Sequence, residues 1–231
     1  MKSDQVSVET SDGPMPAHLW LPGSGAGPGL LLVQEIFGIS PYITQRAQDL
    51  AGLGYVVMAP EIFWRLGVSR VEEGPDAMEK AIGLAQQVDW EAAVQDGVST
   101  LQALRQRPEV SGGVGAIGFC FGGGLAFNVA AVSEPDVLVS YYGSGIGDLL
   151  HLAPQVTAPS LHHFGLADSY VDPAKQEQIR TAVAGPDVIF ETYEGADHAF
   201  DNPDFALYDE EASRLAWQRT VEFLGMRLPT A

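Results

Sequence analysis

The sequence predicts an α/β fold, a mostly parallel and doubly wound sheet of about eight strands flanked by helices. Short apolar segments alternate along the chain with longer amphipathic ones, which is typical of βαβ units. The run Leu30-Leu31-Leu32-Val33 is almost continuously apolar, as expected of a strand buried on both faces of a parallel sheet. Residues Trp90 to Arg107 carry one stripe of apolar side chains, as expected of a helix packed on that sheet. No repeat or linker divides the chain, so we expect a single domain over residues 1–231.

Local patterns place the individual elements. Polar–apolar alternation or a buried apolar run predicts strands near Val6–Val8 and at Ala17–Leu21, Gly29–Gln34, Tyr55–Ala59, Val114–Gly118, Val137–Tyr141, Ser160–Phe164 and Val188–Tyr193. Helix caps and apolar stripes predict helices starting near Ser40-Pro41 and at Pro75–Val88, Trp90–Arg107, Phe121–Val132, Pro173–Ala184 and about Phe205–Leu224. Glu61–Glu73 fits neither pattern and is predicted to be an irregular excursion over the sheet.

Composition and charge exclude several classes of partner. The formal net charge is −18, and a surface this acidic is unsuited to nucleic acid, whose partners carry basic patches. Residues Met1 to Gln5 lack the apolar core of a signal peptide, and no apolar run approaches the roughly 18 residues that span a bilayer. Cys120 has no second cysteine for an intrachain disulfide. We therefore expect a cytoplasmic protein, a monomer or homodimer, that binds neither nucleic acid nor membrane.

A nucleophile motif lies at one predicted strand-to-helix junction. Gly118-Phe119-Cys120-Phe121-Gly122 has the pattern G-x-nucleophile-x-G. Such a turn raises the nucleophile above the sheet, and the helix N-terminus favours a reactive thiolate. The N–H of Phe121 is predicted to be the first oxyanion donor, because it follows the nucleophile. The motif predicts an α/β-hydrolase fold with a cysteine nucleophile; a buried structural cysteine is the alternative interpretation.

Two residues farther along the chain complete a triad. In this fold the order is nucleophile, acid, histidine, which predicts Asp168 as the acid and His198 as the base. Both follow predicted strands at the carboxyl edge of the sheet, where open α/β sheets hold their active sites. Asp172 is a rival acid, but its place before Pro173 predicts a helix cap. Asp197 adjoins His198 and is interpreted as a turn residue.

The remaining histidines give no site of their own. His162 and His163 are consecutive in a predicted strand, so they point to opposite faces and are interpreted as structural. His18 and His151 have no partner that the sequence identifies. No set of residues with metal-ligand spacing is present, and the triad chemistry needs neither metal nor cofactor.

The combined motifs resemble the dienelactone hydrolase family, cysteine α/β-hydrolases typified by carboxymethylenebutenolidase. The resemblance rests on Gln34-Glu35-Ile36-Phe37-Gly38, the Cys120 motif, Asp168 and Gly195-Ala196-Asp197-His198-Ala199-Phe200, and it extends from about Val6 to Leu224. It implies that Glu35 contacts the resting thiol and helps to deprotonate it when substrate binds. It also implies that the N–H of Ile36 is the second oxyanion donor. By position and by resemblance, Phe37, Tyr142 and Ala199 are predicted to line the substrate pocket.

One departure from the family pattern concerns the substrate. Members that act on dienelactone bind its carboxylate with two arginines, at positions matched here by Met78 and Asn202. Neither side chain replaces a bidentate guanidinium. Arg65 and Arg70, in the predicted excursion, are the candidates to reach the pocket instead, and Arg65 is predicted to bind substrate. A solvated surface charge is the alternative for each.

Together these residues predict hydrolysis of a small lactone or ester through an acyl-enzyme on Cys120. A substrate less anionic than dienelactone is expected. Two alternatives share the fold: a broad-specificity short-chain carboxylesterase, and an acyltransferase that uses an acceptor other than water. A third alternative is of another class, a non-catalytic binding or thiol redox-sensing domain.

Overall fold

Eight strands form one sheet in the computed structural model, which describes residues 2–72 and 74–230. The strands are β1 (Lys2–Thr10), β2 (Gly13–Leu21), β3 (Gly27–Val33), β4 (Val56–Pro60), β5 (Val110–Phe119), β6 (Leu138–Tyr141), β7 (Ser160–Gly165) and β8 (Val188–Tyr193). Their order across the sheet is β1-β2-β4-β3-β5-β6-β7-β8. The two pairs that contain β2 are antiparallel, and the remaining pairs are parallel. The predicted α/β-hydrolase fold is confirmed.

Six α-helices cover the sheet within the described residues. They are α1 (Pro41–Gly52), α2 (Ala77–Gln87), α3 (Trp90–Gln106), α4 (Phe121–Ser133), α5 (Pro173–Val183) and α6 (Glu210–Arg227). The N-terminal caps of α1 and α5 are as predicted: Ser40 accepts a hydrogen bond from the N–H of Ile43, and Asp172 accepts one from Lys175. No helix among residues 2–72 and 74–230 is long and apolar enough to cross a membrane.

The core lies on both faces of the sheet. Successive residues of β3 point to opposite faces, so Leu31 and Val33 pack in the cluster that contains side chains of α3 and α4. Leu30 and Leu32 pack in the second cluster, with side chains of α1 and α6. All four side chains are fully buried, and each such burial stabilises the fold by roughly 1.5–3 kcal/mol. Burial on both faces thereby fixes β3 in place, and β3 in turn positions the segment that follows it.

The last helix starts later than predicted. It begins at Glu210 rather than near Phe205, because the side chain of Asp209 accepts a hydrogen bond from the N–H of Ala212 and caps it there. The preceding residues form successive turns, in which the N–H of Phe205 donates to the carbonyl of Asn202 and that of Tyr208 to the carbonyl of Phe205. The segment between His198 and the helix is thus a loop beside the carboxyl edge of the sheet.

The predicted excursion is irregular apart from one short 3-10 turn at Trp64–Leu66. It returns to the sheet edge where Arg70 forms an isolated antiparallel bridge with Gly38. Glu73, the last residue of that prediction, lies outside the described residues.

Candidate active site

Cys120 lies in the tight turn between β5 and α4. Its φ of 54° is one that a non-glycine residue adopts only at a cost of about 1–3 kcal/mol. The turn fits against β3 because Gly122 has no side chain; a Cβ there would lie 2.4 Å from the carbonyl oxygens of Gln34 and Val33. The N–H of Cys120 donates to the carbonyl of Tyr141 at 3.0 Å. This packing fixes the thiol at the N-terminus of α4.

Asp168 and His198 face Cys120 from the segments that follow β7 and β8. The Nε2 of His198 lies 3.1 Å from Sγ of Cys120, and its Nδ1 lies 2.8 Å from Oδ2 of Asp168. The other carboxylate oxygen of Asp168 accepts the N–H groups of Tyr170 and Val171, each at 2.8 Å. His198 is 5% exposed and Asp168 is 2% exposed. The carboxylate of Asp168 is therefore held in one orientation and in turn fixes the ring of His198.

The electrostatics of this group favour a protonated His198. Burial opposes a positive charge on His198, but the charges of Cys120 and Asp168 and their hydrogen bonds outweigh it and raise the pKa of His198 to about 10. A protonated His198 has N–H donors at both ring nitrogens, one for each neighbour. The arrangement is suited to a thiolate–imidazolium pair supported by a carboxylate.

Backbone strain is concentrated around the same residues. Cys120, Tyr142 and Ala199 have φ values of 54°, 37° and 57°. Among the described non-glycine residues the other positive φ belongs to Glu134, at the end of α4. Strained residues persist where the surrounding structure holds them, and they cluster at functional sites.

The rival residues have other partners. Asp197 accepts the N–H groups of Ser169 and His198, which is the geometry of a turn residue. Asp172 caps α5. His162 and His163 are fully buried in β7, and burial lowers the pKa of His162 to about 4. No group of three or more His, Cys, Asp or Glu residues suited to a metal ion occurs in the described part of the chain.

Glu35 follows β3 and is 2% exposed. Its carboxyl accepts a hydrogen bond from the amide of Asn202 at 2.8 Å and one from the hydroxyl of Tyr142 at 3.3 Å. Among the described residues, Sγ of Cys120 contacts His198 and Ser144 but not Glu35. Burial raises the pKa of Glu35 to about 7, although the hydrogen bond from Asn202 and the charge of His198 lower it.

A buried chain of hydrogen bonds continues from Tyr142 away from the triad. The hydroxyl of Tyr142 lies 3.3 Å from that of Tyr42, which donates to Asp201. Asp201 is fully buried and pairs with Arg46, whose Nε and Nη2 each lie 2.8 Å from its carboxylate. These polar contacts brace the loop that carries Asn202. The sequence contains no motif that identifies them.

A cavity of about 480 Å³ lies beside this loop. Its wall includes Phe37, Met78, Asn202, Asp204 and Phe205. Met78 and Asn202, the two positions where the resemblance expects arginines, therefore face one cavity. Among the described residues no Lys or Arg lines it, and its one charged lining residue is Asp204.

Arg65 does not lie at this cavity. Its guanidinium pairs with the fully buried carboxylate of Asp96 and, at 2.7 Å, with that of Asp12. It also stacks over the ring of Trp64, with 4.5 Å from Cζ to the ring centroid. These contacts hold it against α3, away from the cavity that Met78 and Asn202 line. Arg70 is half exposed and pairs with Glu72 at 3.0 Å.

Of the other residues predicted to contact substrate, one lines the cavity and two do not. Phe37 lines the cavity. Tyr142 is fully buried and packs edge-on against His198, with 5.2 Å between ring centroids, and Ala199 is 6% exposed. Neither residue lines the cavity.

The N–H groups of the two predicted oxyanion donors have no hydrogen-bond acceptor among the described residues. Phe121 is the first residue of α4, so its N–H has no acceptor within the helix. Ile36 occupies a turn in which the N–H of Gly38 donates to Glu35, and no described residue accepts from the N–H of Ile36.

Ser144 lies beside Cys120 and His198 but was not predicted. Its hydroxyl oxygen lies 3.4 Å from Nε2 of His198 and 3.7 Å from Sγ of Cys120. A single serine after a strand carries no motif, so only the three-dimensional structure locates it.

Comparison with known proteins decides the family. The model of the dienelactone hydrolase family matches residues 15–228. The chain belongs to the dienelactone hydrolase family. The resemblance drawn from the motifs is therefore confirmed.

Relatives of this dienelactone hydrolase-family protein match it over nearly its full length. The carboxymethylenebutenolidase of Pseudomonas sp. (strain P51) is 34% identical over 235 residues, which cover 99% of this chain and 98% of that one. Carboxymethylenebutenolidase 1 of Cupriavidus pinatubonensis is 31% identical over 229 residues, 98% of each chain. A solved structure from Klebsiella pneumoniae superposes with a TM-score of 0.82 at 25% identity, over 97% of this chain and 98% of that one. The protein is accordingly a carboxylic ester hydrolase of this family.

Proposed function

We propose that this dienelactone hydrolase-family protein hydrolyses a small, uncharged lactone or ester through an acyl-enzyme on Cys120. The observation that carries the proposal is the line of contacts from Sγ of Cys120 to Nε2 of His198 at 3.1 Å and from Nδ1 of His198 to Asp168 at 2.8 Å. Nucleophile, base and orienting acid within hydrogen-bond reach are the requirements of nucleophilic catalysis.

In the first step the thiolate of Cys120 attacks the ester carbonyl carbon. A carbon–sulfur bond forms, and the electron pair of the carbonyl moves to its oxygen. The N–H groups of Ile36 and Phe121 stabilise that oxyanion, and a donor of this kind contributes about 2.7–4 kcal/mol of barrier lowering. The carbon–oxygen bond to the leaving group then breaks, and His198 donates its Nε2 proton to the departing oxygen.

In the second step water releases the acyl group. Neutral His198 accepts a proton from a water molecule as the oxygen of that water adds to the thioester carbon. The carbon–sulfur bond breaks, the electron pair returns to sulfur, and the acid product leaves. Asp168 keeps the tautomer of His198 that presents Nε2 to both the leaving group and the water.

The cavity beside Asn202 supports an uncharged substrate. Its wall is more apolar than polar, with Phe37, Met78 and Phe205 among its side chains. A carboxylate placed there would meet Asp204 without a compensating cation from the described residues. An aryl or alkyl group would be buried there at a gain of about 25 cal/mol per Å² of apolar surface.

A paired-substrate assay tests the proposal. Purified protein and Cys120→Ala are compared on a short-chain aryl ester and on a dienelactone that carries a free carboxylate. We expect turnover of the neutral ester that depends on Cys120, and a kcat/KM for the carboxylate substrate at least tenfold lower. Equal or better turnover of the carboxylate substrate would overturn the substrate class. Full activity in Cys120→Ala would overturn the mechanism.

A further inference from the structure

We infer that Ser144 is a further catalytic residue, whose hydroxyl stabilises the thiolate of Cys120 by donating a hydrogen bond to it. The inference rests on the proposed function, since it assigns a role within the same reacting pair. It starts from the position of the hydroxyl oxygen, 3.7 Å from Sγ of Cys120 and 3.4 Å from Nε2 of His198.

The loop after β6 holds Ser144 in this position. Its backbone N–H donates to the carbonyl of Cys120 at 3.0 Å, so the loop is tied to the nucleophile itself. The close approach depends on Gly124 in α4, because a Cβ at that residue would lie 1.9 Å from the carbonyl oxygen of Ser144. The side chain is half-buried, and its hydroxyl oxygen lies within reach of both Cys120 and His198.

Hydrogen-bond donors and acceptors assign the direction of the bond. When His198 is protonated, Nε2 carries a hydrogen and cannot accept. Sγ of the thiolate is then the acceptor left for the hydroxyl proton of Ser144. When the pair is neutral, the same hydroxyl donates to Nε2 instead. A hydrogen bond to an ionised acceptor is roughly twice as strong as one between neutral groups, so Ser144 favours the charged pair.

The other charged and titratable groups around the pair act on it independently of Ser144. Asp168 supports His198 from behind at 2.8 Å. The rings of Tyr142 and Tyr170 lie on His198, with centroids 5.2 and 4.9 Å from its own. Glu35 lies beyond Tyr142 and accepts a hydrogen bond from its hydroxyl. Removing the hydroxyl of Ser144 leaves each of these contacts in place.

Two pairs of variants test the inference. Ser144→Thr keeps the hydroxyl, and Ser144→Val has nearly the same shape without it; Ser144→Ala removes it with the least bulk. Ser140→Ala is the matched control, because Ser140 is a buried serine of β6 whose hydroxyl has no partner among the described residues. Thermal melting identifies any variant that fails to fold. If Ser144→Ala does not fold, Ser144→Thr and Ser144→Val are compared instead.

The readout is the ultraviolet absorbance of the thiolate, measured as the loss on alkylation with iodoacetamide. At the pH where the wild-type thiol is half ionised, we expect Ser144→Ala and Ser144→Val to lower the thiolate-to-thiol ratio about fivefold, to one sixth of the molecules. Ser144→Thr and Ser140→Ala should match the wild type. The inference is overturned if Ser144→Ala and Ser144→Val keep the wild-type ratio.

The proposed function fails or stands on a different measurement. Detection of a covalent acyl group on Cys120 does not depend on Ser144. A protein that forms the acyl-enzyme but shows no effect of Ser144→Ala on the thiolate would retain the mechanism and lose this inference alone.

Discussion

Asn202 donates a hydrogen bond to Glu35 across 2.8 Å, so this buried carboxyl faces an amide rather than a cation. Asn202 is itself 4% exposed, and its carbonyl oxygen accepts the N–H of Asp204 at the cavity wall. The pair connects the cavity to the segment that carries Ile36. An amide does not offset the loss of hydration of a carboxylate as a guanidinium does, and burial therefore raises the pKa of Glu35 to about 7.

The first prediction concerns stability in Glu35→Gln. Because the pKa of Glu35 is raised in the folded state, the folded protein binds this proton more tightly than the unfolded chain does. Its contribution to stability is present at acid pH and is lost as the pH rises from about 4.5 through about 7. Relative to the wild type, Glu35→Gln should gain about 2–3 kcal/mol of unfolding free energy between pH 5 and pH 8.

Urea denaturation of both proteins at the two pH values measures this difference. Exposed Glu9→Gln serves as the control and should leave the pH dependence unchanged. A Glu35→Gln curve that stays parallel to the wild-type curve from pH 5 to pH 8 would contradict the assignment of a raised pKa to Glu35.

The second prediction concerns substrate charge. Replacing both cavity-lining residues, in Met78→Arg with Asn202→Arg, places two guanidinium groups at one cavity wall. Because guanidinium binds carboxylate bidentately, the ratio of kcat/KM for a carboxylate-bearing lactone to that for a neutral ester should rise about tenfold or more. Met78→Leu with Asn202→Gln controls for altered packing. An unchanged ratio would show that substrate does not reach this wall.

The third prediction concerns the acid of the triad. Asp168→Asn keeps the size of the side chain but favours the wrong tautomer of His198, and kcat should fall by about 10³–10⁴. The control is Asp172→Asn, which keeps the cap of α5 and should retain wild-type activity. Steady-state kinetics on one neutral ester compares the two. Loss of less than tenfold in Asp168→Asn would remove Asp168 from the mechanism.

The fourth prediction separates a structural from a substrate-binding role for Arg65. Arg65→Gln leaves the fully buried Asp96 without its cation and should cost about 2 kcal/mol, less than a fully buried pair because Arg65 is partly exposed. Denaturant unfolding measures the loss. The KM for a carboxylate-bearing substrate should remain within twofold of the wild type, and a rise of tenfold would return Arg65 to the substrate site.

The sequence predicted most of the fold because its strands are short apolar runs between clear turn and cap residues. Ser40 before Pro41 and Asp172 before Pro173 marked two helix starts to within a residue. The start of α6 was missed because the apolar residues after Asn202 were counted as part of the helix, whereas the cap at Asp209 decides its first turn. A cap competes with a hydrophobic pattern, and the local hydrogen bond prevailed here.

The proximity of the three residues of the candidate site was predictable from chain order and motif. Cys120, Asp168 and His198 each follow a strand, and parallel strands bring their carboxyl ends together. The positions of Arg65 and Ser144 depend on long-range contacts that leave no local pattern. The buried partner of Arg65, Asp96, lies on α3, and Ser144 approaches Cys120 only because Gly124 allows it.

The measurement that tests the central claim most directly is the mass of the protein after brief reaction with a slow neutral ester and acid quenching. The account predicts a mass increase equal to one acyl group, located on the peptide that contains Cys120, and its loss in Cys120→Ala. It also predicts that His198→Ala prevents or strongly slows the labelling. Turnover of the ester with no acyl group on Cys120, or labelling that persists in Cys120→Ala, would contradict the account.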